Sequence, residues 1–144
     1  MKSSTDKILI PIDGSESSNK GLRYGCRLAN KLEATITVLN VVNIPYVGES
    51  PSVIFDISSL VKAGQMILER AKKIAQEENC KDISYELRQG IGNPGHEIVK
   101  FSQEGGVSLI VMCARGHTPL THLLIGSVSD MVVHHAPCPV LIVR

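Results

Sequence analysis

Residues 111–144, VMCARGHTPLTHLLIGSVSDMVVHHAPCPVLIVR, carry the reading that decides the fold: a strand, a glycine-bearing loop, a helix and a final strand follow one another in a short span. Gly116 and the pair Gly126-Ser127 bracket nine residues, and from Ser127 onward Val128, Met131, Val132 and His135 recur at helical spacing. The start of a helix offers backbone N–H groups without intrahelical acceptors and a partial positive charge. A glycine-bearing loop before it lets a polyphosphate approach the backbone closely. Local anion binding is the chemistry this pattern implies.

Working back from this corner, residues 107–112 form a fourth strand. Before it, residues 93–103 form a short helix with Asn93 as N-cap, Pro94 in the first turn and Gly105-Gly106 at the end. Residues 83–88 alternate Ile83, Tyr85 and Leu87 with polar neighbours, the pattern of an edge strand. From the other terminus, residues 7–13 (KILIPID) are an apolar run that turns at Asp13-Gly14, which predicts a buried central strand. A helix over residues 15–32 aligns Leu22, Cys26, Ala29 and Leu32 behind Ser15 as N-cap. Residues 34–42 form a β-branched second strand, and residues 58–78 return to helical spacing through Val61, Gly64, Ile67, Leu68, Ala71, Ile74 and Ala75. Between them residues 43–56 hold Pro45, Gly48 and Pro51 and follow neither period, a long loop. Strands alternating with helices predict the α/β class: an open, doubly wound, five-stranded parallel sheet with right-handed crossovers, in a single domain over residues 1–144.

Composition narrows the function classes. With no Trp, two Phe and three Tyr, the core is aliphatic and there is no aromatic platform on which single-stranded nucleic acid would stack. Lys plus Arg number 15 against 14 Asp plus Glu, so no general basic surface points to nucleic acid or to an anionic membrane, and neither is an expected partner. Cys26, Cys80, Cys113 and Cys138 lack metal-ligand spacing and are expected to be reduced thiols. The opening MKSSTDK has no apolar signal core and no run approaches the roughly 20 apolar residues of a membrane span, so a cytoplasmic protein is expected.

The Gly116-to-Gly126-Ser127 spacing, with ILIPIDGSE (8–16), LNVV (39–42) and APCPVLIVR (136–144), closely resembles the universal stress protein family. ATP-binding members of that family carry Gly, two residues, Gly, nine residues, then Gly-Ser or Gly-Thr; here the first glycine is replaced by Cys113. The resemblance spans essentially the whole chain. It implies a Rossmann-like, adenine nucleotide alpha hydrolase-like sheet of order 3-2-1-4-5, whose winding reverses between strands 1 and 4. In such sheets a ligand lies beyond the carboxyl ends of the strands at that reversal. By the same resemblance Pro11, Ile12 and Asp13 border adenine and ribose, Val41 packs on adenine, and Gly116, Gly126, Ser127 and Val128 hold phosphates. Met112, Cys113, Arg115 and His117 complete the implied cofactor-binding set. The implied ligand is ATP or a related adenine nucleotide, AMP or ADP, with Mg²⁺ or Mn²⁺ at the phosphates and Asp13 placed to help hold the ion. A homodimer through the C-terminal strand is implied too.

The residues alone leave plainer alternatives open. Asp13 can turn the chain, Gly116 can punctuate a loop, and Gly126-Ser127 can simply start a helix. Cys113 puts a Cβ and a sulfur where the family pattern has hydrogen. Were a left-handed backbone required there, the cost would be about 1–2 kcal/mol. A nucleotide-free dimeric interaction module is the alternative that follows, and Cys113 is its sequence support. Cys113 beside a helix start reads either as a thiol of lowered pKa or as a small buried hydrophobe. His117 and His122 have no carboxylate or cysteine at ligand spacing, and His135 falls on the apolar helical face as a packing residue. Gly90-Ile-Gly92-Asn-Pro-Gly95 spells G-x-G-x-x-G, yet it follows an edge-type strand, Pro94 lacks a donor N–H, and no acidic residue ends the next strand. With no P-loop lysine, catalytic triad or paired carboxylates, no fast enzyme is expected; slow hydrolysis of bound ATP is a further alternative.

Overall fold

The computed structural model describes residues 6–44, 57–114 and 126–144. Its elements run β1 (Lys7–Pro11), α1 (Glu16–Leu32), β2 (Thr35–Ile44), α2 (Ile57–Glu77), β3 (Ile83–Ile91), α3 (Gly95–Glu104), β4 (Leu109–Cys113), α4 (Ser127–His135) and β5 (Val140–Val143). Every neighbouring pair is parallel and the order is β3-β2-β1-β4-β5, as the resemblance implied.

Strand alternation divides the core into two layers. Ile8 and Ile10 of β1, Ile12 just beyond it, Ile36 and Val38 of β2 and Val111 of β4 bury against Leu22, Cys26 and Ala29 of α1 and Leu68, Ala71, Ile74 and Ala75 of α2. On the opposite face Leu9, Leu39, Ile110 and Met112 pack with Ile98 and Val99 of α3 and Val132 of α4. Leu9 and Ile10 have no exposed surface, which explains why the first strand reads as an unbroken apolar run.

The expected boundaries shift where pairing outlasts the apolar pattern. β2 extends to Ile44, and β3 passes Arg88 to reach Ile91, because residues 41–44 stay in register with residues 88–91. Most of the loop expected over residues 43–56 lies outside the described residues. β4 begins two residues later than expected: Val107 N–H bonds back to the Ser102 carbonyl at 3.2 Å and so still belongs to the exit from α3. His135 corrects the helical-face reading, since it is exposed as the last residue of α4.

Ser15 caps α1 as expected, its hydroxyl accepting from Ser18 N–H at 3.1 Å. Below that cap α1 is tied to the end of α2. Arg27 Nε donates to Glu78 Oε2 at 3.0 Å, Arg23 donates to Glu77 and Glu78 at 2.8 and 3.3 Å, and Asn30 Nδ2 donates to the Glu78 carbonyl at 3.0 Å. The Arg27 hydrogen bond is the main cause holding the Glu78 carboxyl below its usual value of 4.5. A lowered folded-state pKa means stabilisation that is complete above the unfolded value and is lost as pH falls through the folded one. The stability gap between the wild type and Glu78→Gln, measured by urea unfolding, should therefore be present at pH 7 and shrink progressively below pH 4.5.

Gly64 sets how closely α2 approaches the sheet. A Cβ there would lie 2.8 Å from Asn40 Oδ1, 2.9 Å from Leu87 Cδ1 and 3.0 Å from Val42 Cγ2. Gly64→Val should lower unfolding free energy by about 1–3 kcal/mol through overpacking, despite the gain in helix propensity. Denaturant titration of the two proteins measures it.

Candidate functional site at the carboxyl ends of β1 and β4

β1 pairs with β2 on one edge and β4 on the other, so the crossovers leave β1 in opposite directions and the carboxyl ends of β1 and β4 open a crevice. One wall is the turn after β1. Ile12 N–H bonds to the Leu39 carbonyl at 2.9 Å, and Ile12's carbonyl accepts from buried Asn40 Nδ2 at 2.9 Å, so the chain stays flush with β2 past the strand's end. Asp13 Oδ1 then accepts from Ser15 N–H at 2.9 Å, a side-chain turn mimic that aims the chain into α1. Gly14 takes φ +84°, a left-handed backbone that glycine adopts without strain.

The other wall is the junction of β4 and α4. Gly126 N–H bonds to the Ala114 carbonyl at 2.7 Å, which brings the two ends of segment 115–125 together. The buried Ser129 hydroxyl lies 2.9 Å from both the Cys113 and Ala114 carbonyls and shares its one hydrogen between them. The end of β4 is thereby pinned to the first turn of α4. Gly126, the N-cap, has no side chain to cap with, and the first intrahelical bond is made by Asp130 N–H to Gly126 O. The N–H groups of Ser127, Val128 and Ser129 thus have no intrahelical acceptor and face the crevice end of the helix.

A third contact fixes that helix start. The cap position of α3 falls on Pro94 and not on the expected Asn93, which stands one residue ahead of it: Asn93 Oδ1 accepts from Gly95 N–H at 2.8 Å, while Asn93 Nδ2 donates to the Ser127 carbonyl at 3.3 Å. Gly95 lies so near α4 that a Cβ would come within 2.7 Å of Met131 Cγ. This accounts for one glycine of the G-x-G-x-x-G string. Gly92, at φ +80°, makes the exit turn from β3, and a Cβ on Gly90 would meet Glu97 Cγ at 2.8 Å.

The anticipated residues fall into three groups. Pro11, Ile12, Asp13 and Val41 gather at the ends of β1 and β2, while Cys113, Gly126, Ser127 and Val128 gather at the β4–α4 junction. In the β1–β2 register Pro11 is opposite Leu39, so half-buried Val41 stands beyond the end of β1 on the face shared with Leu9, α3 and α4. The Met112 side chain is in the core with Leu9 and Val132, so only its backbone is near the crevice. Arg115, Gly116 and His117 lie outside the described residues.

Cys113 ends β4 with ordinary backbone dihedrals, not in the left-handed region. Alternation places it on the face of Val111, toward α1, where Gly21 makes room: a Cβ on Gly21 would sit 3.3 Å from Cys113 N. Only 7% of Cys113 is exposed, as a small buried hydrophobe would be. Ser129 and the second bond of Asn93 are contacts holding the candidate site that the pattern reading did not identify. A serine on the buried face of an apolar helix was the available signal for Ser129. For Asn93 nothing local distinguishes a turn side chain from one that also reaches across to another helix.

Among the described residues these features define a doubly wound α/β module whose switch point is bordered by backbone groups. The chain belongs to the universal stress protein family, whose family model matches residues 4–144. It is 38% identical over 141 residues to a universal stress protein of Methanocaldococcus jannaschii, covering 96% of this chain and 81% of that one. It is 39% identical over 151 residues to the universal stress protein YxiE of Bacillus subtilis, covering 96% and 99%. Among solved structures it resembles UspA from Lactobacillus plantarum with a TM-score of 0.78, 24% identity and coverage of 99% and 100%. It also resembles a universal stress protein in complex with cAMP, with a TM-score of 0.73, 24% identity and coverage of 99% of both chains. A third is a universal stress protein from Archaeoglobus fulgidus in complex with dAMP, with a TM-score of 0.71, 20% identity and coverage of 97% and 98%.

Ser129→Ala strips the carbonyls of Cys113 and Ala114 of a shared donor in a buried setting. Its expected cost is about 1–3 kcal/mol of unfolding free energy, with faster amide exchange at Gly126 as the local readout.

Proposed function

We propose that the protein binds an adenine nucleotide, ATP or its shorter relatives AMP and ADP, in the crevice between β1 and β4, and that occupancy alters its contacts with a second copy or a partner. The single observation that carries this reading is the convergence of two chain-distant segments. The turn at Asp13 and the β4–α4 junction follow neighbouring parallel strands, and the latter brings a helix start without a side-chain cap, held by Ser129 and Asn93. The N–H groups of Ser127 and Val128 suit phosphate oxygens. Val41 supplies an apolar wall for a base, and Asp13 lies near the place where ribose hydroxyls or a phosphate-bound Mg²⁺ or Mn²⁺ would sit. That relatives of the same fold have been solved with cAMP and dAMP supports the choice of adenine nucleotides over other anions.

The substitution at Cys113 is compatible with this reading. Its backbone is unstrained and its side chain turns toward α1, whereas the start of α4 lies on the opposite face. Homodimerisation would use β5, a sheet-edge strand whose four residues are all only half-buried, with β5 of a second copy.

Calorimetric titration of the nucleotide-stripped protein with ATP and with AMP, each with and without Mg²⁺, tests the reading. Saturable binding is expected; heat from neither ligand would leave the dimerising interaction module as the function. Ser127→Asp separates binding from folding. A carboxylate in the first turn of α4 favours the helix dipole, so the thermal midpoint should hold or rise, while repulsion of phosphate should weaken ATP affinity by about tenfold or more. Unchanged ATP affinity in that variant would remove the phosphates from α4.

A further inference from the structure

Away from the crevice, on the α1–α2 face, two of the four cysteines meet. Cys26 is on the buried face of α1 with no exposed surface, and Cys80, half-buried in the turn between α2 and β3, packs against the same apolar cluster. The two thiols are near enough that each alters the other's hold on its proton. This meeting is held by an independent frame. Arg23, Arg27 and Asn30 flank Cys26 on α1, and all three bind residues 77–78, immediately before Cys80. Cys80 N–H is itself fixed to the Ala75 carbonyl at 3.0 Å, and Asn79 takes a left-handed φ of 55° to make the turn. The other two cysteines have no such relation: Cys113 is on the α1 face at the crevice end, whereas Cys138 packs in the α3–α4 layer.

We propose that Cys26 and Cys80 are a paired-thiol modification site at which a peroxide forms an intramolecular disulfide, stapling α1 to the α2–β3 turn. Both thiols belong to one apolar cluster whose surrounding backbone is tied down, and the bond forms when the two Sγ atoms close to about 2.05 Å. Cys80 is the entry point because it alone of the pair reaches the surface. Its thiolate attacks a peroxide oxygen, the O–O bond breaks, and hydroxide leaves as water once protonated, giving Cys80 sulfenic acid. Cys26 Sγ then attacks Cys80 Sγ, the S–O bond breaks, the departing hydroxide takes the Cys26 thiol proton and leaves as water, and the S–S bond forms. Two thiols lose two electrons and two protons in total, and one peroxide becomes two waters.

The local chemistry assigns the two sulfurs different parts. Burial pushes both thiols up, Cys26 far more, so Cys26 keeps its proton until it attacks, while its protonated neighbour eases Cys80 back toward thiolate. Arg23 favours a Cys26 thiolate while Glu78 opposes it, and Asp82 opposes one at Cys80, so the pair is shielded from casual oxidation. Oxidation is therefore slow and needs sustained peroxide, as a high-threshold switch does.

The staple lies toward the amino ends of the strands, remote from the crevice, and closes residues 27–79 into a loop. It constrains the unfolded chain, so its readout is stability, independent of nucleotide binding. The reduced protein is exposed to hydrogen peroxide, alkylated with iodoacetamide and mapped by non-reducing peptide mass spectrometry. The expected product is monomeric, links the Cys26 and Cys80 peptides with loss of two hydrogens, and reduces the free thiols from four to two. Its thermal midpoint should rise by about 5–10 °C and return on treatment with dithiothreitol. Cys80→Ser, at a half-exposed position, and Cys26→Ala should each abolish the link and the rise. Three outcomes would overturn the proposal: linkage through Cys113 or Cys138, conversion of Cys80 to sulfinic acid without linkage, or four free thiols persisting under peroxide that fully oxidises the urea-unfolded chain.

Discussion

Everything in this molecule depends on burying β1 on both faces and both edges. A strand with Leu9 and Ile10 fully excluded from water needs apolar helices above and below it and a strand on either side. Parallel neighbours require helical crossovers of one hand, so chain to one side of β1 places α1 and α2 on one face and chain to the other places α3 and α4 on the opposite face. The crevice is the geometric remainder. Where crossovers depart in opposite directions, the loops after β1 and β4 separate, leaving turn and helix-start backbone groups around an opening.

Side chains contribute to that opening chiefly by holding the backbone in place. Ser129 binds the carbonyls at the end of β4, Gly126 closes the neighbouring segment, and Asn93 secures α4 from the α3 side. Asn40 does the equivalent for Ile12. On the proposed reading, a recognition surface made of N–H groups would tolerate changes in side-chain identity provided the backbone path survives, and a cysteine at position 113 would be such a change. Strand alternation turns that side chain toward α1, and Gly21 keeps the facing helix clear of the Cys113 backbone.

The fold was legible in the sequence because each element carries a strong period or stop signal: the unbroken apolar run at β1, the Ser15 cap, Gly105-Gly106, and the alternating edge of β3. Boundaries were less legible where hydrogen-bond pairing, not hydrophobicity, carries the strand on, as in residues 41–44 against 88–91. Of the candidate site, Asp13, Gly126 and Ser127 could be named from turn and helix-start chemistry. Ser129 and the second bond of Asn93 could not, because their partners are 15 and 34 residues away and are brought near only by the assembled sheet. The glycines of the G-x-G-x-x-G string carry a related lesson. Their spacing imitates a phosphate loop, yet two of the three are glycine because Glu97 and Met131 occupy the space a Cβ would need.

The two ends of the sheet therefore do different work. At the carboxyl end the contacts are backbone-directed and leave N–H groups unpaired within the helix, which suits reversible capture of an anion. At the amino end α1 and α2 are tied by an arginine–glutamate cluster and enclose two thiols in one aliphatic cluster. A covalent bond between those thiols would restrict the unfolded chain without displacing a residue of the crevice. Peroxide and nucleotide would then act on one domain through separate physical terms, chain entropy for the first and polar recognition for the second. Two inputs so arranged are independent unless they meet through α1, the one helix that begins at the crevice beside Asp13 and carries Cys26 further along its length.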